Sequence, residues 1–425
     1  MKIKTRSASL GDVLAIPVPK HKKPLRPLPV LSLAMRLAAE ADLRRARFTV
    51  NKGDMKDAEE KPCLVLMNHS AFIDLEIASK ILFSRPYGIV CTSDGFVGKE
   101  WLMRNLGCIP TNKFVSDLTL IRDIQYALRE KRISVLMYPE ASYSFDGCQT
   151  PLPEGFGRLL KRLGVPVVMI KTHGAFLRDP LYNCLQKRRV SVSADVYCLL
   201  SSRETEEKSV SEIDETVREA FTFDGFAEQQ EKNISVKEPF RADGLHRILY
   251  KCACCGCEGK MTGKGTALTC KKCNKTYTLT EYGRLFSHNG ETEFDHVPDW
   301  YAYQRKALRK EIEAGAYSMS CPVKILVLRD FRAVYRVGEG TLCHNGEGFT
   351  LRDEDGEIIY TQKPLFSYSL YSDYYWYELG DVICIGDRDT LYYCFPTDNT
   401  PVAKARLAAE EMYKLAKERK RAHVE

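Results

Sequence analysis

The stretch Leu64–Glu76, LVLMNHSAFIDLE, decides how this chain is read. Four apolar residues, Leu64 to Met67, have the continuous apolar character of a strand buried on both faces. The run then turns polar at Asn68, His69 and Ser70, and Asp74 follows the histidine by five residues. A histidine at the end of a buried strand can face solvent and a ligand. A carboxylate in the following turn can reach back to one of its ring nitrogens, fixing the tautomer and raising the basicity of the other. The spacing itself is common, and its placement at a strand-to-helix junction is what gives it weight.

Outward from this stretch, strand-like runs alternate with helical patterns. CLVLM, YGIVC, ISVLMY, VPVVMI and RVSVSADVYCLL read as strands, and segments near 74–83, 99–106, 116–131 and 155–163 as helices. This alternation predicts an α/β layer with a mostly parallel sheet and flanking helices. Three of the strands end in polar residues: at Asn68–Ser70, at Pro139–Ser142 and at Lys171–His173. Sites in such sheets form beyond the carboxyl ends of the strands, so the three endings are expected to converge there. No Gly-x-Ser-x-Gly elbow frames a serine nucleophile. The His69–Asp74 pair is therefore expected to activate an acceptor hydroxyl directly.

The order of motifs around this pair resembles the glycerolipid acyltransferase family typified by 1-acyl-glycerol-3-phosphate acyltransferases. NHSAFID is similar to that family's NHxxxxD motif, and YPEASYS (138–144) to its aromatic-Pro-Glu-Gly-Thr-Arg-Ser motif. VPVVMI is similar to its proline-bearing strand, and KEWLMRNLGCIPTNKF (99–114) occupies the place of its second motif. The resemblance covers roughly residues 30 to 200. It implies transfer of an acyl chain from acyl-CoA or acyl-carrier protein to the hydroxyl of a lysolipid. His69 would then be the general base and Asp74 its orienting partner; Lys113, Glu140 and Ser142 would serve the acceptor. Two departures stand out. Ala141 and Tyr143 replace the glycine and arginine of the third motif, and Lys113 replaces an arginine of the second. An ammonium holds phosphate as a point charge, without the fork of a guanidinium. A phosphate-bearing acceptor is thereby weakened, and a chain that keeps the fold as a binding or scaffold protein is the alternative.

Six of the sixteen cysteines fall between Cys252 and Cys273. Cys252/Cys255 and Cys270/Cys273 form two CxxC pairs, with Gly256 and Asn274 directly after them to accommodate tight knuckles. Four thiolates at this spacing resemble a zinc ribbon and imply structural zinc. The overlapping pair Cys254/Cys257 is an alternative to Cys252/Cys255.

The organisation expected is a basic, Pro-containing segment (1–27), an acyltransferase domain (28–240), a zinc ribbon (245–286), and a helix plus β-rich domain with a C-terminal helix (298–425). The last resembles a pleckstrin-homology-like domain in its pattern of strands and final helix. The hydrophobic fraction is 44%, the charged fraction 28% and the net charge +7. With no apolar run of spanning length and no signal-peptide pattern, the expectation is a cytoplasmic protein held peripherally at a membrane surface. The modest positive charge suits anionic lipid, and the helix over 28–48 is a candidate for that contact. No nucleic-acid-binding signature accompanies the charge, so nucleic acid is an unlikely partner.

Overall fold

The computed structural model describes residues 2–422. The chain begins with a short strand, β1 (Thr5–Ser7), and the next seven strands build an α/β layer. These are β2 (Thr49–Lys52), β3 (Leu64–Met67), β4 (Tyr87–Thr92), β5 (Cys108–Thr111), β6 (Ser134–Met137), β7 (Val167–His173) and β8 (Ser193–Leu200), in the spatial order β2-β8-β7-β3-β6-β4-β5. Five of them, β7 through β5, run parallel; β8 is antiparallel to β7, and β2 follows β8. The sheet is mostly parallel, as the alternating pattern predicts.

All four residues of β3 are buried because both faces are covered. Val65 and Met67 meet the helices Pro29–Arg45 and Ile73–Ile81 on one face. Leu64 and Leu66 meet Leu118–Arg129, Phe156–Leu163 and Val210–Phe221 on the other. The alternation of a strand's side chains divides its apolar residues between two cores.

Four short antiparallel strands follow: β9 (Met261–Lys264), β10 (Ala267–Cys270), β11 (Thr276–Leu279) and β12 (Leu285–Ser287). The helix Val297–Glu313 leads into a seven-strand antiparallel meander. Its members are β13 (Ser318–Leu328), β14 (Val334–Asn345), β15 (Gly348–Asp353), β16 (Ile358–Gln362), β17 (Tyr371–Trp376), β18 (Gly380–Gly386) and β19 (Leu391–Pro396), in the order β16-β15-β14-β13-β19-β18-β17. The helix Val402–Ala422 closes the chain. This is the β-rich region with a final helix that the turn-separated strands predict.

The units are joined through one core. Phe145 and Phe176 of the α/β layer, Leu249 and Tyr277 around the four-stranded sheet, Trp300, Ile325 of the meander and Leu407 of the last helix belong to a single buried cluster. The N-terminal segment links them from outside. β1 pairs in parallel with β14, Thr5 opposite Val334. Further on, Lys22 meets Glu100 at 2.7 Å, His21 meets Asp123 at 3.0 Å, and the Leu28 N–H donates to the Asn105 carbonyl at 2.8 Å.

Candidate active site and cysteine cluster

The carboxyl ends of β3, β4, β5 and β6 open onto one cavity of about 1070 Å³. At the end of β3 the Asn68 side chain replaces the ladder: its Oδ1 accepts from Thr172 N–H at 2.8 Å, tying β3 to β7. The loop Ser70–Phe72 then wraps the Asp74 carboxylate, in the first turn of the helix Ile73–Ile81. Asp74 Oδ2 accepts from Ser70 N–H at 2.7 Å, from Ala71 N–H at 3.0 Å and from His69 Nδ1 at 3.2 Å. Asp74 is wholly buried. Because a carboxylate only accepts, Nδ1 carries the proton and Nε2 is the basic nitrogen of the neutral ring. Burial is the largest influence on His69 and lowers its pKa below the ordinary 6.5, against the opposing pull of Asp74.

The imidazole is held between two phenol rings. Tyr138 stacks on it at 4.0 Å between centroids, and Tyr143 lies against it at 4.2 Å. The backbone is pinned as well. The His69 N–H donates to Glu140 Oε2 at 2.9 Å, and its carbonyl accepts from Ser144 N–H at 3.0 Å. Glu140 is fully buried, and its other oxygen accepts from Thr150 N–H at 2.7 Å. Burial pushes this carboxyl up to about 7, against the pull of the Thr150 and His69 amides. Ala141, where the resemblance implies glycine, has φ +56°. This left-handed conformation strains a residue with a Cβ.

The structure brings His69, Asp74 and Lys113 to the cavity region, His69 and Lys113 both lining it. Lys113 Nζ lies 4.4 Å above the Tyr371 ring. Glu140 and Ser142 are buried behind the wall and are absent from the lining. The third polar strand end does not converge on the site. β7 extends through Lys171 to His173, and that histidine is engaged by Glu228 at 2.7 Å and Asp195 at 3.0 Å. Of that segment only Thr172 reaches the dyad, its Oγ1 lying 3.5 Å from Asp74 Oδ1.

Sequence reasoning misses the other half of the cavity. The meander supplies a wall, with Tyr368, Tyr371, Asp373, Tyr374 and Trp376 facing the strand ends of the α/β layer, and Tyr413 of the last helix beside them. Asp94, just beyond β4, anchors this wall by accepting from Tyr371 Oη at 2.7 Å and from Trp376 Nε1 at 3.1 Å. Asn112, just beyond β5, donates to the carbonyls of Asp387 and Arg388, each at 3.0 Å. The polar residues after β4 and β5 were the available signal, but neither carries a recognisable spacing.

The sulfurs of Cys252, Cys255, Cys270 and Cys273 lie within 4.8 Å of one another. Cys252 and Cys273 are 3.7 Å apart, Cys255 and Cys270 3.8 Å. Four thiolates bonded at about 2.3 Å to a tetrahedral zinc have sulfurs about 3.8 Å apart, so the donor set fits such an ion. The two knuckles are copies of each other. Gly256 N–H donates to the Cys252 carbonyl and Asn274 N–H to that of Cys270, each at 2.9 Å, and both donors are left-handed. Cys257 Sγ turns toward the Glu258 carbonyl, and the four sulfurs gathered closely enough to hold a metal ion include those of Cys252 and Cys255. The ribbon also braces the cavity wall: the Arg247 carbonyl accepts from Tyr374 Oη at 2.9 Å, and its guanidinium meets Asp381 at 3.0 Å.

Residues 47–172 match the family model for acyltransferases. Among solved structures, the chain is similar to the 1-acyl-sn-glycerophosphate (LPA) acyltransferase PlsC from Thermotoga maritima. The match has 14% identity and a TM-score of 0.36, covering 44% of this chain and 78% of that one.

Proposed function

We propose that this chain, whose residues 47–172 match the acyltransferase family model, moves a fatty acyl group from a thioester donor to the hydroxyl of a lysolipid. The observation that carries the reading is the His69–Asp74 pair, 3.2 Å apart at the wall of a cavity of about 1070 Å³. In this reading His69 Nε2 takes the proton of the acceptor hydroxyl as its oxygen attacks the thioester carbonyl. The tetrahedral intermediate collapses with cleavage of the C–S bond, and the thiolate leaves with the proton returned from Nε2. Asp74 holds the tautomer and balances the transient imidazolium, with the two tyrosine rings packed against it favouring that cation. The donor is acyl-CoA or acyl-carrier protein. Lys113 acts on the acceptor; Glu140 acts at one remove, by fixing the His69 backbone. Zinc in the four-cysteine site is structural.

The site of action in this reading is a membrane surface on the cytoplasmic side. Supporting it, Val30, Leu33 and Leu37 stand out from the helix Pro29–Arg45, with Trp101 exposed on the neighbouring helix Glu100–Asn105. Among the described residues no helix is long and apolar enough to cross a membrane. The test is transfer of labelled acyl groups from both donor types across a panel of lysolipids, with His69→Ala beside the wild type. Transfer by the wild type and its loss in a folded variant with unchanged metal content are expected. No transfer from either donor, or transfer undiminished in the variant, would overturn the reading.

A further inference from the structure

The four-stranded sheet β9–β12 spends only one face on the rest of the chain. Met261, Leu268, Tyr277 and Leu285 point inward and belong to the shared core. Both edges are closed as well. The Gly263 N–H of β9 donates to His246 Nδ1 at 3.0 Å, and the Leu285 N–H of β12 donates to the Asp295 carbonyl at 2.7 Å. What is left open is the outward face, and the alternation of the strands decides what it carries.

The register sets Lys264, Ala267, Thr278 and Phe286 side by side in one row across the sheet. Lys260 and Lys271 stand together at the other end of β9 and β10, where the Lys271 N–H donates to the Lys260 carbonyl at 2.8 Å. All three lysines are exposed, and so is Phe286, at 57%. None of the four strands contains an aspartate or a glutamate. Acids at the margin are engaged elsewhere: Glu258 with Lys251 at 3.2 Å and Lys404 at 2.6 Å, Glu293 with Lys275 at 3.4 Å, and Asp295 with Arg284. Among the described residues Lys260, Lys264 and Lys271 have no acidic partner.

An uncovered ring among unpaired ammonium groups is the complement of an acidic protein surface, with the ring as the apolar anchor and the lysines as the charged rim. A nucleic acid strand fits it less well, because bases call for several stacking rings and phosphates favour guanidinium forks. One phenyl ring is also too little apolar surface to seat the sheet in a bilayer. The face lies beside the cavity wall. β9 borders the turn Leu245–Arg247, and Arg247 donates to the Tyr182 carbonyl at 3.2 Å, in the stretch that presents Leu181 and Leu185 to the cavity.

We propose that this face docks an acidic acyl-carrier protein, which brings the thioester donor to the cavity. The cargo rests on the acyl-transfer reading; the charge of the partner rests on the sheet alone.

The test gives the full chain two donors with the same acyl group, acyl-CoA and acyl-carrier protein, and measures binding of the unacylated carrier protein separately. Lys264→Glu and Phe286→Ala alter exposed side chains away from the four-thiol site, so metal content and thermal midpoint should match the wild type. Each should weaken carrier-protein binding, and kcat/KM with the carrier-bound donor, about 10- to 30-fold, the range for losing an interface anchor. Transfer from acyl-CoA should be unchanged. Carrier-protein binding by the wild type should also weaken as salt rises. No binding of the carrier protein by the wild type, or binding unchanged in both variants, would overturn the proposal. So would variants that lose only single-stranded RNA or anionic vesicles. Carrier-protein binding that falls in the variants, with no transfer from either donor, would instead sink the enzyme reading and leave the docking surface standing.

Discussion

Asp74 both builds the turn after β3 and orients the imidazole, and two substitutions separate these roles. In Asp74→Asn the amide oxygen can take the place of Oδ2 and keep the Ser70 and Ala71 N–H groups satisfied, since one oxygen already serves both. Folding should therefore change by only about 1 kcal/mol, the value of a weakened hydrogen bond. The imidazole then faces a neutral acceptor, and the imidazolium formed in the reaction loses its counter-charge. The expected fall in kcat is about 10²- to 10⁴-fold, the range for a positioned general base, or roughly 3–5 kcal/mol of barrier. In Asp74→Ala no acceptor remains. Two buried backbone N–H groups lose their partner at about 1–3 kcal/mol each, so roughly 2–6 kcal/mol of stability goes as well. That is a large part of the 5–15 kcal/mol typical of a folded domain. Urea unfolding of the three proteins and steady-state transfer at one pH make the comparison. Wild-type kcat in Asp74→Asn, or wild-type stability in Asp74→Ala, would refute the reasoning.

Four other outcomes are expected. Because burial lowers the His69 pKa and the neutral ring is the base, the acidic limb of kcat/KM should fall with a midpoint below pH 6.5; a midpoint above it in a pH–rate profile would contradict the account. Glu140→Gln sets an amide N–H₂ against either the His69 or the Thr150 N–H, so it should cost about 1–3 kcal/mol in denaturant titrations and lower kcat without touching the cavity lining. Ala141→Gly relieves a left-handed alanine, and should raise stability by up to about 1 kcal/mol by the same titration, with activity retained. Cys270→Ser, or chelation, should empty the four-thiol site as read by metal analysis, lower the thermal midpoint, and reduce transfer through release of Tyr374 from Arg247.

What the sequence made legible was local. The β3 run and its polar ending are contiguous residues, and the five-residue step from His69 to Asp74 spans one loop, so pattern alone placed them together. The cysteine knuckles were legible for the same reason; that the sulfurs of Cys252 and Cys255 are the ones gathered with those of Cys270 and Cys273 is a matter of side-chain placement. In the sequence Tyr143 stands only as a missing arginine, and its place against the imidazole is a matter of ring geometry that no spacing encodes. The anchoring of the cavity wall lay further out of reach: Asp94 and Tyr371 are 277 residues apart and meet only because the shared core docks the meander onto the strand ends. β1 is three residues long, too short to show a period, and its partner β14 lies beyond the whole α/β layer and the cysteine ribbon in the chain.

Single-turnover rapid quench, with the protein in excess over a labelled acyl thioester and a lysolipid acceptor present, tests the central claim most directly. The account predicts that label passes from thioester to acceptor with no protein-bound acyl species at any time point, and that His69→Ala stops the passage. Label accumulating on the protein, or transfer continuing at the wild-type rate in His69→Ala, would contradict it.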